Sequence, residues 1–169
     1  GYRVKDGVRL SATWPSYQQP REDRQSLGDA IQADLKKIGF ELVRKPLDGG
    51  AYIDGLYSGN YDIADWSFVR SDADVLRLHL FSTFAPVQNA SYVNDPKVDK
   101  LVTEAAETTD AAKRTDLYGQ AQKWVIDDAA IVPLYVPSYL LGTSKKVGGV
   151  RTDINGWPLF YDAYRTEGS

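Results

Sequence analysis

Two pairs of carboxylates stand out in the sequence: Asp72 with Asp74, and Asp127 with Asp128. Two carboxyl groups cleave a glycosidic bond when they face one cleft and one of them has a raised pKa. Asp72 and Asp74 precede a helical pattern, where an aspartate caps free N–H groups. Asp127 and Asp128 end a helical pattern, a poor place for negative charge, so solvation or a Lys or Arg partner is expected there. His79 is the only histidine and sits in Leu78-His79-Leu80. One histidine excludes a multi-histidine metal site, and no Gly-x-Ser-x-Gly elbow accompanies it as a serine hydrolase requires. A partly buried helix histidine is the expected reading.

The chain has no cysteine, which removes disulfides, thiolate zinc sites, iron–sulfur clusters and a Cys nucleophile together. Neither Gly-x-x-x-x-Gly-Lys nor Gly-x-Gly-x-x-Gly is present to cradle phosphates. No cofactor is expected, and no enzyme signature survives against its plain structural explanation. The 169 residues fit one domain, and a net charge of −3 with no basic cluster argues against nucleic acid as a partner. The longest uncharged apolar stretch, Ala129 to Gly142, is interrupted by Pro133 and Pro137 and is too short to span a bilayer. The chain begins with Gly rather than Met, which reads as a scar of processing.

The periodicity alternates between strand and helix values, the pattern of an α/β layer fold. Strands are expected at Arg9–Trp14, Phe40–Lys45 and Tyr61–Val69, with Pro15 and Pro20 bracketing a loop and Pro46 closing the second strand. Helices are expected at about Asp23–Ile38, with Gly39 as C-cap, and at Ala51–Ser58. A further helix reaches Phe81 from a cap at Asp72 or Asp74. Asp95-Pro96 starts the next one, with Val98, Leu101, Val102 and Ala105 as its apolar stripe. Asp110 caps another, with Leu117, Ala121, Trp124 and Val125 inward. Ile131–Val136 and Tyr139–Ser144 read as edge strands, and the tail from Trp157 to Tyr164 as aromatic and irregular.

Several stretches together resemble one family, the family 5 extracellular solute-binding proteins, which are receptors of ABC importers. They include Leu27-Gly28-Asp29-Ala30-Ile31, Tyr61-Asp62-Ile63-Ala64-Asp65-Trp66, Asp72-Ala73-Asp74-Val75-Leu76 with Phe81-Ser82, and Asp95-Pro96-Lys97-Val98-Asp99-Lys100-Leu101. The series continues through Asp127-Asp128-Ala129-Ala130-Ile131-Val132-Pro133-Leu134-Tyr135 to Pro158-Leu159-Phe160-Tyr161-Asp162-Ala163. The resemblance implies the C-terminal lobe of a two-lobe receptor, residues 1–169 forming one α/β lobe. Its fold would be three-layered and periplasmic-binding-protein-like (type II), with a mixed sheet flanked by helices. It also implies an extracytoplasmic location, periplasmic or lipid-anchored. The implied partners are a peptide or peptide-like small solute, a membrane permease and an N-terminal lobe of the same chain.

The resemblance places the solute wall at the end of the Tyr61–Val69 strand and the loop after it. Relatives that bind peptides carry an amine-pairing aspartate there. An ungapped alignment puts Ser71 at that position, with Asp72 next to it. The candidate ligand-binding residues are Trp66, Ser67, Phe68, Arg70, Ser71, Asp72, Gln88, Asn89 and Tyr92. Core packing competes for Trp66 and is favoured for Phe68. Arg70 stands where it can clamp a carboxylate, with a solvated surface arginine as the alternative. Tyr135 and Tyr139 are secondary candidates. Thr83–Asn94 holds no histidine, which disfavours a histidine-anchored metal complex. The rival readings are a stand-alone glycan or small-molecule binding module, and a small hydrolase using Asp72 and Asp74.

Overall fold

The computed structural model describes residues 1–17, 22–136 and 138–166. The chain opens with a hairpin of β1 (Val4–Lys5) and β2 (Val8–Arg9). Asp6 and Gly7 form its turn with φ of 51° and 79°, the left-handed pair that a two-residue hairpin demands.

β3 (Ser11–Tyr17) and β4 (Glu41–Leu47) pair in parallel, with Ser11 opposite Glu41 and Tyr17 opposite Leu47. α1 (Glu22–Lys37) is the crossover between them. Alternate side chains of the pair serve two faces. Ala12, Trp14 and Leu42 are buried toward α1, against Ile31, Leu35 and Phe40. Tyr17 and Leu47 belong to the other face, which meets α2 (Gly49–Ser58). There the Tyr17 and Tyr52 rings lie 5.5 Å apart, and a Cβ on Gly55 would stand 3.6 Å from Leu47. Helix, strand pair and helix therefore stack as three layers. Asp48 caps α2 through the Ala51 N–H at 2.9 Å, and Gly59 ends it at φ 66°. Close approach matters at Gly28, where a Cβ would lie 2.6 Å from the Arg44 guanidinium carbon.

Pro15 and Pro46 lie inside β3 and β4 rather than at their ends. A proline is tolerated where its missing N–H faces no ladder partner. That tolerance has a consequence for 61–69, which forms no strand. Asp62 and Ile63 both donate backbone N–H to the Thr13 carbonyl, at 3.2 and 3.1 Å. Two residues along the same edge of β3 stands Pro15, with no N–H to offer, and the ladder stops. Thr13 N–H itself goes to the Asp62 carboxylate at 2.7 Å, with the Thr13 hydroxyl at 2.9 Å.

The second core is helical: α3 (Val75–Leu80), a 3-10 turn at Ser82–Phe84, α4 (Pro96–Glu107) and α5 (Ala111–Asp127). Leu80, Val98, Val102, Ala121 and Val125 are buried together, and Ala105, Leu117 and Tyr118 continue the core. Asp95 accepts from Lys97 N–H, and Asp110 accepts from Ala112 and Lys113 N–H, so both expected caps are made. Asp99 reaches back from α4 to the Ser82 N–H at 2.8 Å and hydroxyl at 2.5 Å. Asp127 is held by Lys123 at 2.7 Å, one turn earlier.

Residues 131–136 and 138–144 form no strand, although alternation in the sequence is strand-like. Ile131 packs against the helical core, but Val136 and Leu140 are 95% and 90% exposed. Pro20 and Pro137 lie outside the described residues. The tail, expected to be irregular, forms two antiparallel pairs. β5 (Val147–Gly148) pairs with β8 (Tyr164–Arg165), and β6 (Arg151–Thr152) with β7 (Pro158–Leu159). Gly149 at φ 75° permits this, since any Cβ there would fall 2.0 Å from the Asp162 carbonyl oxygen.

Candidate functional site

The carboxyl end of a parallel strand pair is where α/β proteins place ligands. Here that end is closed by Asp65. Its carboxylate accepts the Trp14 indole N–H at 3.1 Å and meets the Arg24 guanidinium at 3.2 Å. Its backbone carbonyl accepts the Tyr52 hydroxyl. Burial, then the adjoining Asp65 charge, holds the Tyr52 phenol above the ordinary tyrosine range. Arg24 also donates to the Ser67 hydroxyl at 2.7 Å. Strand β3, α1 and α2 thus all grip the start of one segment, 65–74. An open hollow of about 180 Å³ lies beside it, with Trp14, Tyr17, Arg24, Arg44 and Asp65 among its walls.

After Asp65 the segment turns outward. Trp66, Phe68 and Val69 are all exposed, so Phe68 leaves the core position that composition favours. The Arg70 guanidinium lies over the Phe68 ring, 4.7 Å from its centroid, and donates to the Val69 carbonyl at 2.9 Å. The Phe68 ring also meets the His79 ring edge-on, with centroids 4.6 Å apart. His79 Nδ1 lies 3.0 Å from the Gln88 carbonyl, while its Nε2 is buried without a hydrogen-bond partner. Burial pushes the imidazole below its ordinary value, which keeps it neutral. Neutral imidazole then donates from Nδ1 to Gln88.

Ser71 donates its N–H to the Asn155 side chain at 2.9 Å, so the tail reaches the wall. Asp72 is paired with Arg114 at 2.7 Å and also accepts the Asp74 N–H. Asp74 forms a two-point pair with Arg77 and accepts the Tyr118 hydroxyl. Arg114 holds Asp72, and Arg77 holds Asp74, below the usual carboxylate range. Neither has the raised pKa that a general acid needs. Asp72 does not cap α3; its partner is on α5.

One expected wall residue, Asn89, turns inward, and Tyr92 stays exposed with its hydroxyl tied to backbone. Asn89 is 0% exposed. Its amide donates to the Phe81 and Val93 carbonyls, and its oxygen accepts from Val93 N–H and the Ser91 hydroxyl. A saturated amide holds the loop and has nothing left to offer a solute. The Tyr92 hydroxyl lies 3.0 Å from both the Leu56 and Tyr57 carbonyls, and its ring edges onto Tyr61. Gln88 meets the wall through its backbone carbonyl on His79. The structure brings Trp66, Ser67, Phe68, Arg70, Ser71 and Asp72 together on one segment. It adds Asp65, Arg24, Tyr52 and Asn155 as its supports, none of which spacing alone identifies. Among the described residues no cluster of His, Asp or Glu could hold a metal ion. No helix among them is long and apolar enough to cross a membrane.

No family model matches the chain. Curated relatives do. The probable D,D-dipeptide-binding periplasmic protein DdpA of Escherichia coli K12 is 37% identical over 124 residues, covering 71% of this chain and 24% of that protein. A peptide-bound DppA from Helicobacter pylori superposes with TM-score 0.74 at 26% identity, covering 93% of this chain and 31% of that one. By sequence and by fold, this chain is a relative of the family 5 extracellular solute-binding proteins. The family's type II fold extends to the oligopeptide-binding protein AppA of Bacillus subtilis, with TM-score 0.80 and 20% identity over 99% of this chain and 34% of that one. The chain spans about a quarter to a third of the length of these family members.

Proposed function

We propose that this chain is one lobe of a periplasmic or surface-held receptor that captures a peptide or peptide-like solute and delivers it to an ABC permease. The supporting observation is the exposed segment 65–74, which carries Trp66, Phe68 and Arg70 outward while three elements fix its root. A wall of this kind has one apolar side and a few placed polar groups, and a second surface is needed to enclose a solute. The other lobe, supplied by the same chain on the N-terminal side, closes over it by hinge motion. Relatives named for D,D-dipeptide, dipeptide and tripeptide binding favour a peptide as the solute. No bond is made or broken in this reading; affinity comes from burial. Trp66, Ser67, Phe68, Arg70, Ser71 and Asp72 would form the contact surface, with Gln88 and Tyr92 at its border. A stand-alone glycan module has no observation in its favour.

The test is to express the full-length receptor and identify the solute that copurifies, by mass spectrometry. A bound peptide or peptide derivative is the expected result. A sugar in its place, or hydrolysis of an added peptide by the purified protein, would overturn the reading.

A further inference from the structure

Along 65–74 every carboxylate already has a cation: Asp65 has Arg24, Asp72 has Arg114 and Asp74 has Arg77. The segment's own cation is Arg70, and among the described residues none of the ion pairs includes it. Among the described residues its hydrogen bond goes to the neutral Val69 carbonyl, which leaves the guanidinium's other N–H groups for a further acceptor. The guanidinium carbon lies 4.7 Å from the Phe68 ring centroid, and Phe68 in turn contacts the His79 ring. The charge is therefore preset rather than swinging on a free side chain. Exposed Trp66 and Val69 flank it with apolar surface.

We infer that this wall selects solutes with a carboxylate beside an apolar group, the carboxylate seated on Arg70 and the apolar part on Trp66, Phe68 and Val69. An ammonium group would meet the uncompensated guanidinium and find no free acid on the segment. A carboxylate would gain a charge-assisted, two-point hydrogen bond that strengthens as closure removes water. The carboxyl terminus of a peptide has this chemistry, and so does a non-peptide acid. The inference rests on the proposed reading only in taking this segment as the solute wall.

Titration calorimetry on the full-length receptor separates the outcomes. The probes are Ala-Phe, its C-terminal amide and deoxycholate, each against wild type, R70Q and R70K. Ala-Phe should bind about 10- to 100-fold more tightly than the amide, the range of a charged hydrogen bond. R70Q should remove that preference by bringing Ala-Phe down to the level of its amide, and R70K should restore part of it. Equal affinity for acid and amide, or an R70Q loss shared by both, overturns the inference while the peptide reading stands. If only deoxycholate binds and R70Q weakens it, the peptide reading fails and the inference holds. If no carboxylate-bearing probe binds, both fail. Arg70 is exposed, and an unchanged melting curve for R70Q verifies that its fold is intact.

Discussion

The helices from Val75 to Asp127 carry apolar stripes among many charges, the stretch at 131–141 carries no charge at all, and it is the helices that bury their apolar residues. In the first, Leu80, Val98, Val102 and Ala121 are wholly buried, and α4 and α5 each start at an aspartate cap. In the second, Val132, Leu134, Val136 and Leu140 stand in solvent with no strand partner. The difference is one of range. A helix closes its hydrogen bonds within itself and needs a neighbour only for one face. A strand needs a second edge from elsewhere. Apolar residues predict burial only where a surface is at hand to receive them.

Substitutions grade that contrast. Leu80→Ala in the closed half should cost about 2–5 kcal/mol, read by urea denaturation of the chain; a loss below 1 would show that the helical core is loose. Asn89→Ala strands the Phe81 and Val93 carbonyls and should cost about 1–3 kcal/mol. His79 supplies a pH signature within the same half. Its pKa is depressed by burial, so the unfolded chain takes up a proton first as pH falls. Stability should be full above the unfolded value of about 6.5 and decline as pH drops through it toward the folded value. H79Q should flatten that decline; an unaltered slope would place its origin elsewhere. The loss tied to Asp72 and Asp74 belongs to a lower window, below about 4, because Arg114 and Arg77 hold their values down. Leu140→Ser, in the open stretch, should change stability by no more than about 0.5 kcal/mol. A larger loss would mean that the stretch packs against something in solution.

The sequence was legible wherever the signal was local. Asp95-Pro96 and Asp110 start helices because capping needs only neighbouring N–H groups. The stripe Val98, Val102, Ala105 buries as spaced. The pairing of β3 with β4 was not legible in full, because Pro15 and Pro46 look like strand ends unless it is known which edge faces open space. The same proline explains why 61–69 is not a strand. The hairpins of the tail depend on Gly148 and Gly149 admitting Tyr164 and Asp162 from fourteen or so residues away, which spacing does not announce. In the candidate wall, the exposed positions of Trp66 and Arg70 are what the structure adds to their types. Asn89 was not legible, since an asparagine in a loop looks the same whether its amide faces water or four backbone and hydroxyl partners. Asp65 was visible in the sequence, but its value comes from Trp14 and Arg24, which are distant in the chain.

The clasp around Asp65 bears on how a solute would be released. The wall is pinned at its root to a strand and two helices, and again at Ser71 to Asn155. It has little slack of its own. If the proposed reading holds, closure would displace this segment together with the elements that pin it, rather than reshape it.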